Sequence, residues 1–149
     1  MVALNYHEGG KLRPGPSRWV EIVIEDDFDN TEQSTGFSFP STCVCLGAYL
    51  QVTTADASQT LDVGTGGTSN DPDGLLDGVS VNATGVVKGT LADGAATLGA
   101  LLRTDESGGD LVPEPAVDVG GDEVTFTGSD TTNTFRGSIW IEYLAFDAD

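Results

Sequence analysis

Positive charge is scarce in this chain. Its 149 residues include only 6 Lys and Arg against 24 Asp and Glu, giving a formal net charge of -18. That balance excludes nucleic-acid binding by phosphate neutralisation, which needs clustered Lys and Arg. It also argues against docking on an anionic membrane surface. No apolar run approaches 18 residues, so no transmembrane helix is expected. The opening residues Met1 to Glu8 have neither a basic n-region nor an apolar h-region, and so do not read as a secretory signal. There is one His, His7, and two Cys, Cys43 and Cys45. Two residues apart, the cysteines are too close for an unstrained bridge, and they read as free buried thiols. A zinc site, which needs about four ligands, is not available from this set.

What is present is Gly, Thr, Ser, Asp and runs of β-branched and aromatic residues. With 20 Gly and 38% hydrophobic residues, the composition favours one folded domain of short strands joined by many turns. The acid excess has a further meaning. Lys is reduced to two residues while Asp outnumbers Glu. At ordinary ionic strength such carboxylates repel one another and weaken the compact state. In molar salt the Debye length falls to about 3 Å and most of that repulsion is gone. The composition is therefore expected of a protein from a salt-rich setting, the alternative being an acidic protein with no such adaptation.

Residues 1–17 read as an extended N-terminal arm, broken by Gly9-Gly10, Pro14 and Pro16. Lys11, Arg13 and Arg18 place half of the basic residues within the first 18 positions, on a chain otherwise acidic. An arm of opposite sign to its own domain suits docking; the alternative is a disordered tail. Residues 18–149 read as a single β-sandwich domain. Arg18 to Glu25 is the first strand. Gly36 to Phe39 is a second, stopped by Pro40. Cys43 to Thr54 is a long strand with two faces, Cys43, Cys45, Gly47, Tyr49 and Gln51 against Val44, Leu46, Ala48, Leu50 and Val52. The second set is wholly apolar and is expected to face the core.

Gln59 to Gly64 is a short strand, and Thr65 to Gly78 a Gly/Asp-rich loop. Val79 to Val81 and Gly85 to Lys88 are short strands around a turn. Ala95 to Leu102 is ambiguous between helix and strand. Ala116 to Val119 and Glu123 to Thr127 are strands split by Gly120-Gly121. Phe135 to Phe146 closes the domain with Ile139, Ile141, Tyr143 and Ala145 on one face. About eight to ten short strands at such spacing predict an all-β fold, an antiparallel β-sandwich of jelly-roll type.

The sharpest local motif is Ser69-Asn70-Asp71-Pro72-Asp73-Gly74-Leu75-Leu76-Asp77. Asp71, Asp73 and Asp77 have the spacing of positions 3, 5 and 9 of a calcium loop. Ser80 stands where the bidentate acid belongs, and there is no flanking helix pair. The segment reads either as a site for Ca2+ or another cation or as a hydrophilic turn capped by its own Asp side chains; no other cofactor is expected. Catalysis is not expected, because the single His lies in the arm with no nucleophile placed beside it. Gly64-Thr65-Gly66-Gly67 lacks the Lys-Ser/Thr of a phosphate loop. Trp19, Trp140 and Tyr143 are candidates for an exposed sugar platform or a subunit contact, or else for core filling.

Two blocks carry a resemblance. One is Pro40 to Gly64 (PSTCVCLGAYLQVTTADASQTLDVG) followed by Asp71 to Val79 (DPDGLLDGV). The other is Val124 to Gly128 (VTFTG) followed by Gly137 to Leu144 (GSIWIEYL). Together they resemble small β-rich virion proteins of tailed viruses, over residues 18–146. The departure lies in the acidity and in Asp56-Ala57 where a Phe-Asp pair is usual. The resemblance implies a structural role on the capsid surface, decorating or cementing the head. The major capsid protein and further copies of the chain, arranged as a homotrimer, would be its partners. It carries no catalytic residues, and the acidity points to a virus of a halophilic, archaeal host. The rival expectations are a tail-associated protein, a carbohydrate- or receptor-binding module, and, last, a hydrolase.

Overall fold

The computed structural model describes residues 12–67, 70–92, 95–105 and 110–148, with backbone alone at 12–15, 105, 147 and 148. Among the described residues ten strands follow one another: β1 (Leu12–Ile24), β2 (Gln33–Ser38), β3 (Cys43–Thr54), β4 (Thr60–Gly66), β5 (Asp71–Ser80), β6 (Gly85–Lys88), β7 (Arg103–Asp105), β8 (Leu111–Pro113), β9 (Glu123–Gly128) and β10 (Arg136–Ala148). The only helical element among the described residues is a 3-10 turn at Ala100–Leu102.

The strands form two four-stranded antiparallel sheets, in the orders β1-β10-β3-β6 and β2-β9-β4-β5, with β7-β8 as a small separate ribbon. Strand β1 pairs with β10, β2 with β9, β3 with β6 and β4 with β5. This nested pairing is one long antiparallel hairpin wrapped into a sandwich, the jelly-roll arrangement. Alternation explains why these segments became strands. Ile22 and Ile24, then Ile139, Ile141, Tyr143 and Ala145, turn inward from the first sheet. Leu61, Val63, Leu76, Val79 and Val124 meet them from the second. Each of the Ile, Leu and Val side chains among these, removed from water, stabilises the sandwich by about 1.5–3 kcal/mol before entropy is counted. At one end Phe28 stands edge-on to Phe126, with ring centroids 5.0 Å apart. At the other, Phe37, Phe39 and Tyr143 form a mutual cluster.

Four sequence expectations are corrected by tertiary pairing, and one open reading is resolved. First, β3 does not keep one face inward. Its register with β10 shifts between Glu142 and Tyr143, where Gly47 pairs with Glu142 but Cys45 pairs with Tyr143. This bulge turns the strand over. Cys43 and Cys45 are buried before it, and Ala48, Leu50 and Val52 after it. Val44 and Leu46, expected in the core, are only half-buried. Second, the expected loop 65–78 is strand from Asp71 onward. Pro72 is tolerated because β5 is an edge strand and needs no ladder bond there. Leu75 and Leu76 are fully buried, and the segment before the 3-10 turn covers the edge through Asp77 N–H to Thr97 O (2.9 Å) and Gly99 N–H to Leu75 O (3.0 Å).

Third, residues 116–119 form no strand; Ala116 makes a single bridge to Cys45. Fourth, the ambiguous stretch 95–102 resolves into a bridge from Leu98 to Leu76 and the 3-10 turn. Fifth, β1 begins at Leu12 and its first residues pair with the end of β10, Leu12 opposite Ala148 and Arg13 opposite Asp147. Residues 12–17, expected in the arm, therefore belong to the sandwich. Residues 1–11 lie outside the described residues.

Candidate functional site

The features of the sequence that invited a functional reading fall in three places. The carboxylates Asp71, Asp73 and Asp77 lie along β5, with Asp62 on the adjacent β4. Burial is the main cause raising the Asp71 carboxyl above its ordinary range, with the neighbouring Asp73 adding to it. Asp62 is raised for the same first reason and further by Asp77 and Asp73, against the opposing hydrogen bond that its Oδ1 accepts from Gly78 N–H at 2.7 Å. These are crowded acids. Among the described residues, no group of three or more His, Cys, Asp or Glu is gathered so as to hold a metal ion. Ser69, the first position of the expected loop, lies outside the described residues.

The basic residues expected to dock are not brought together into a described patch. Lys11 is outside the described residues, Arg13 sits opposite Asp147 in the β1–β10 ladder, and Arg18 is exposed opposite Tyr143. The two thiols are free and buried. Burial pushes Cys43 up to about 11 and Cys45 up to about 12, so neither is an activated nucleophile.

The third place is the outer face of the β1-β10-β3-β6 sheet. One cross-strand row runs Glu21, Trp140, Tyr49, Lys88, each residue opposite the next in register. The neighbouring row runs Val23, Ser138, Gln51, Val86. Directly opposite residues share a face, and the side-chain bonds agree. Ser138 Oγ donates to Glu21 Oε2 at 2.8 Å, and Trp140 Nε1–H donates to Gln51 Oε1 at 3.1 Å. Trp19 reaches across β10 to Tyr49, with ring centroids 5.8 Å apart. The Tyr49 ring lies over Gly47, where a Cβ would meet it in ordinary contact at 3.4 Å.

This face is open. Among the described residues, the exposed large hydrophobic side chains are Trp19 at 50%, Val23 at 55%, Val86 at 75% and Val117 at 66%, and all but Val117 belong to it. Beside it, a cleft of about 290 Å³ is lined by Leu46, Tyr49, Lys88, Leu98, Leu102 and Pro113 among others. Of the aromatics proposed from sequence for a platform, Trp19 and Trp140 are on this face, whereas Tyr143 turns into the core. Tyr49, Val23 and Val86 were missed. Strand pairing alone sets them beside the tryptophans, and only the alternation of 19, 21 and 23 hinted at it.

No protein-family profile matches the chain, and no curated protein matches it. Among solved structures, it is similar to a chain from the capsid asymmetric unit of cyanophage Pam1, with a TM-score of 0.50 and 15% identity over 98% of this chain and 91% of that chain. It is also similar to a chain from the acidic stable capsid structure of Helicobacter pylori bacteriophage KHP30, with a TM-score of 0.49 and 12% identity over 95% of this chain and 98% of that chain. At such identities the likeness is one of fold.

Proposed function

We propose that the protein is a virion structural protein of a tailed virus, carried on the capsid surface, where it decorates or cements the major capsid protein as a homotrimer. The observation that carries this reading is the extent of the shared fold. A chain of the cyanophage Pam1 capsid asymmetric unit has the same sandwich over 98% of this sequence and 91% of its own. The physics agrees with the role. A jelly roll with a thick apolar core is a rigid plate, and its sheet faces are available for symmetric contacts. The reading assigns no catalytic step to the chain.

The test is reconstitution. Purified protein is mixed with capsids that lack it, and the mixture is sedimented. Saturable co-sedimentation at a fixed ratio to the major capsid protein, with greater resistance of the particles to rupture, is the expected result. Protein that stays in the supernatant at every salt concentration refutes the reading. A chain lacking residues 1–11 separates the two ways of docking. If residues 1–11, with Lys11, dock, the shortened chain folds but does not sediment with capsids; if it sediments normally, the sandwich, which carries Arg13 and Arg18, docks. The two tryptophans on the outer face of the first sheet also fit a glycan- or receptor-binding role, and saturable binding to a soluble glycan without capsid binding would favour that alternative.

A further inference from the structure

Two rows on the outer face of the first sheet, beside the row of Trp19, Glu142 and Gly47, differ from the rest of the molecule in charge as well as in exposure. The chain carries -18, so most contacts between copies set acid against acid. Across the two rows described above, the ionisable groups of opposite sign are Glu21 on β1 and Lys88 on β6, at opposite ends of one row. Between them lie Trp140 and Tyr49. The second row has a valine at each end, Val23 on β1 and Val86 on β6, both more than half exposed. Both rows are thus complementary to their own reversal. Charge-poor, aromatic-rich centres of this kind mark protein contacts.

We propose that this face is where a second copy of the chain docks, sheet against sheet, about a twofold axis parallel to the strands. Such an axis reverses each row. Glu21 of one copy then meets Lys88 of the other, twice, and Val23 meets Val86, twice. Trp140 and Tyr49 stack over each other at the centre, with Trp19 and its Tyr49 partner beside them. The contact is isologous, as a twofold requires, and it aligns the strands of the facing sheets as in ordinary sheet packing. The flanking valines favour a protein partner over a sugar, which needs hydroxyl-bonding groups there, and the Gln51 amide oxygen already accepts from Trp140. The inference deepens the cementing role and rests on it for its meaning, since a twofold contact joins copies held at neighbouring docking sites. Its readout is the free protein, so its failure and the failure of capsid binding are separate results.

Both tryptophans of the chain lie on this face, so intrinsic fluorescence reports on it directly. In sedimentation equilibrium at about 0.15 M and about 1 M KCl, the chain should associate reversibly in a doubling step, monomer to dimer or trimer to hexamer, and a trimer that does not double overturns the proposal. Its tryptophan emission should move to shorter wavelength over the same concentration range. Lys88→Glu and Glu21→Lys, each placing like charges together, should weaken association by about tenfold or more. The double variant should restore it. Val86→Asp should weaken it without changing the folded circular-dichroism spectrum, since Val86 is 75% exposed. A chain that stays monomeric at every concentration overturns the proposal. So does a double charge swap that fails to restore what each single variant loses. Burial of the tryptophans by a soluble glycan or by isolated capsid protein, with the chain still monomeric, would also overturn it and assign the face to that ligand.

Discussion

Cys45 should be almost inert in the native protein, because its thiol is buried. Its side chain is fully buried, and its Sγ lies 3.8 Å from the Gly47 carbonyl oxygen. Its main chain is bridged to Ala116 by hydrogen bonds in both directions, each 2.9 Å. Burial, the leading cause, pushes the thiol from 9.0 up to about 12. Thiolate is the reacting form, so three pH units leave about a thousandth of the ordinary thiolate at pH 8. Cys43, raised to about 11 by burial and then by Asp122, retains about a hundredth. A chromogenic disulfide reagent at pH 8 should therefore react with two thiols per chain quickly in denaturant. In the folded protein it should react more slowly by two to three orders of magnitude.

The same shifts set a pH dependence. The folded pKa is above the unfolded one, so an unfolded chain releases thiol protons that the folded chain retains. Stability is fully present below pH 9 and falls as pH rises from there toward 12. For the fully buried Cys45 the slope is about 1.4 kcal/mol per pH unit, about 4 kcal/mol in total over its window. Denaturant titrations at pH 8, 9, 10 and 11 measure it, and Cys45→Ala should flatten the alkaline decline. Thiols that react as fast in the native protein as in denaturant, or a Cys45→Ala variant with an unchanged alkaline slope, would refute the burial argument.

Three further outcomes follow from the charge and the packing. If the acid excess is a salt adaptation, the thermal midpoint should climb by roughly 10 °C or more from low salt to molar KCl; differential scanning calorimetry decides it, and a flat response refutes the adaptation. Asp71→Asn should raise the thermal midpoint at pH 7, because it removes a carboxylate that burial and Asp73 hold in an unfavourable charged state. The folded pKa is raised, so the gain should vanish as pH falls through the carboxylate range, and a gain that persists in acid would contradict the crowding. Gly64→Ala should cost about 3 kcal/mol or more, at the upper end of overpacking effects, because its Cβ would stand 2.0 Å from the Asp71 carbonyl oxygen and 2.3 Å from the Pro72 carbonyl carbon. Urea denaturation measures that loss, and a change within about 0.5 kcal/mol would show that β5 does not cross β4 this closely.

Much of the architecture was legible because period-two alternation survives in short windows. Strands Cys43–Thr54 and Gly85–Lys88 fall where the pattern placed them, and Ile139, Ile141 and Ala145 face inward as their spacing required. The all-β class followed from turn residues recurring between β-branched runs. The acidity and the free thiols were equally visible, since they depend on which residues are present and not on where they go.

Tertiary structure decided what depends on partners distant in sequence. Only the mismatch of Glu142 and Tyr143 against Gly47 and Cys45 reveals the bulge that turns β3 over, exchanging Val44 and Leu46 for Cys43 and Cys45 in the core. The Asp-rich stretch at 71–77 has the composition of a turn, but β4 on one side and Thr97 to Gly99 on the other supply the hydrogen bonds that hold it as strand. The same holds for the open face. Trp19 and Tyr49 are 30 positions apart in the chain, and no local pattern connects them; β10 running between β1 and β3 brings their rings to 5.8 Å. Composition and short-range period determine which segments become strands. Register and sheet order, set by contacts across the whole fold, determine which side chains meet and which are left facing out.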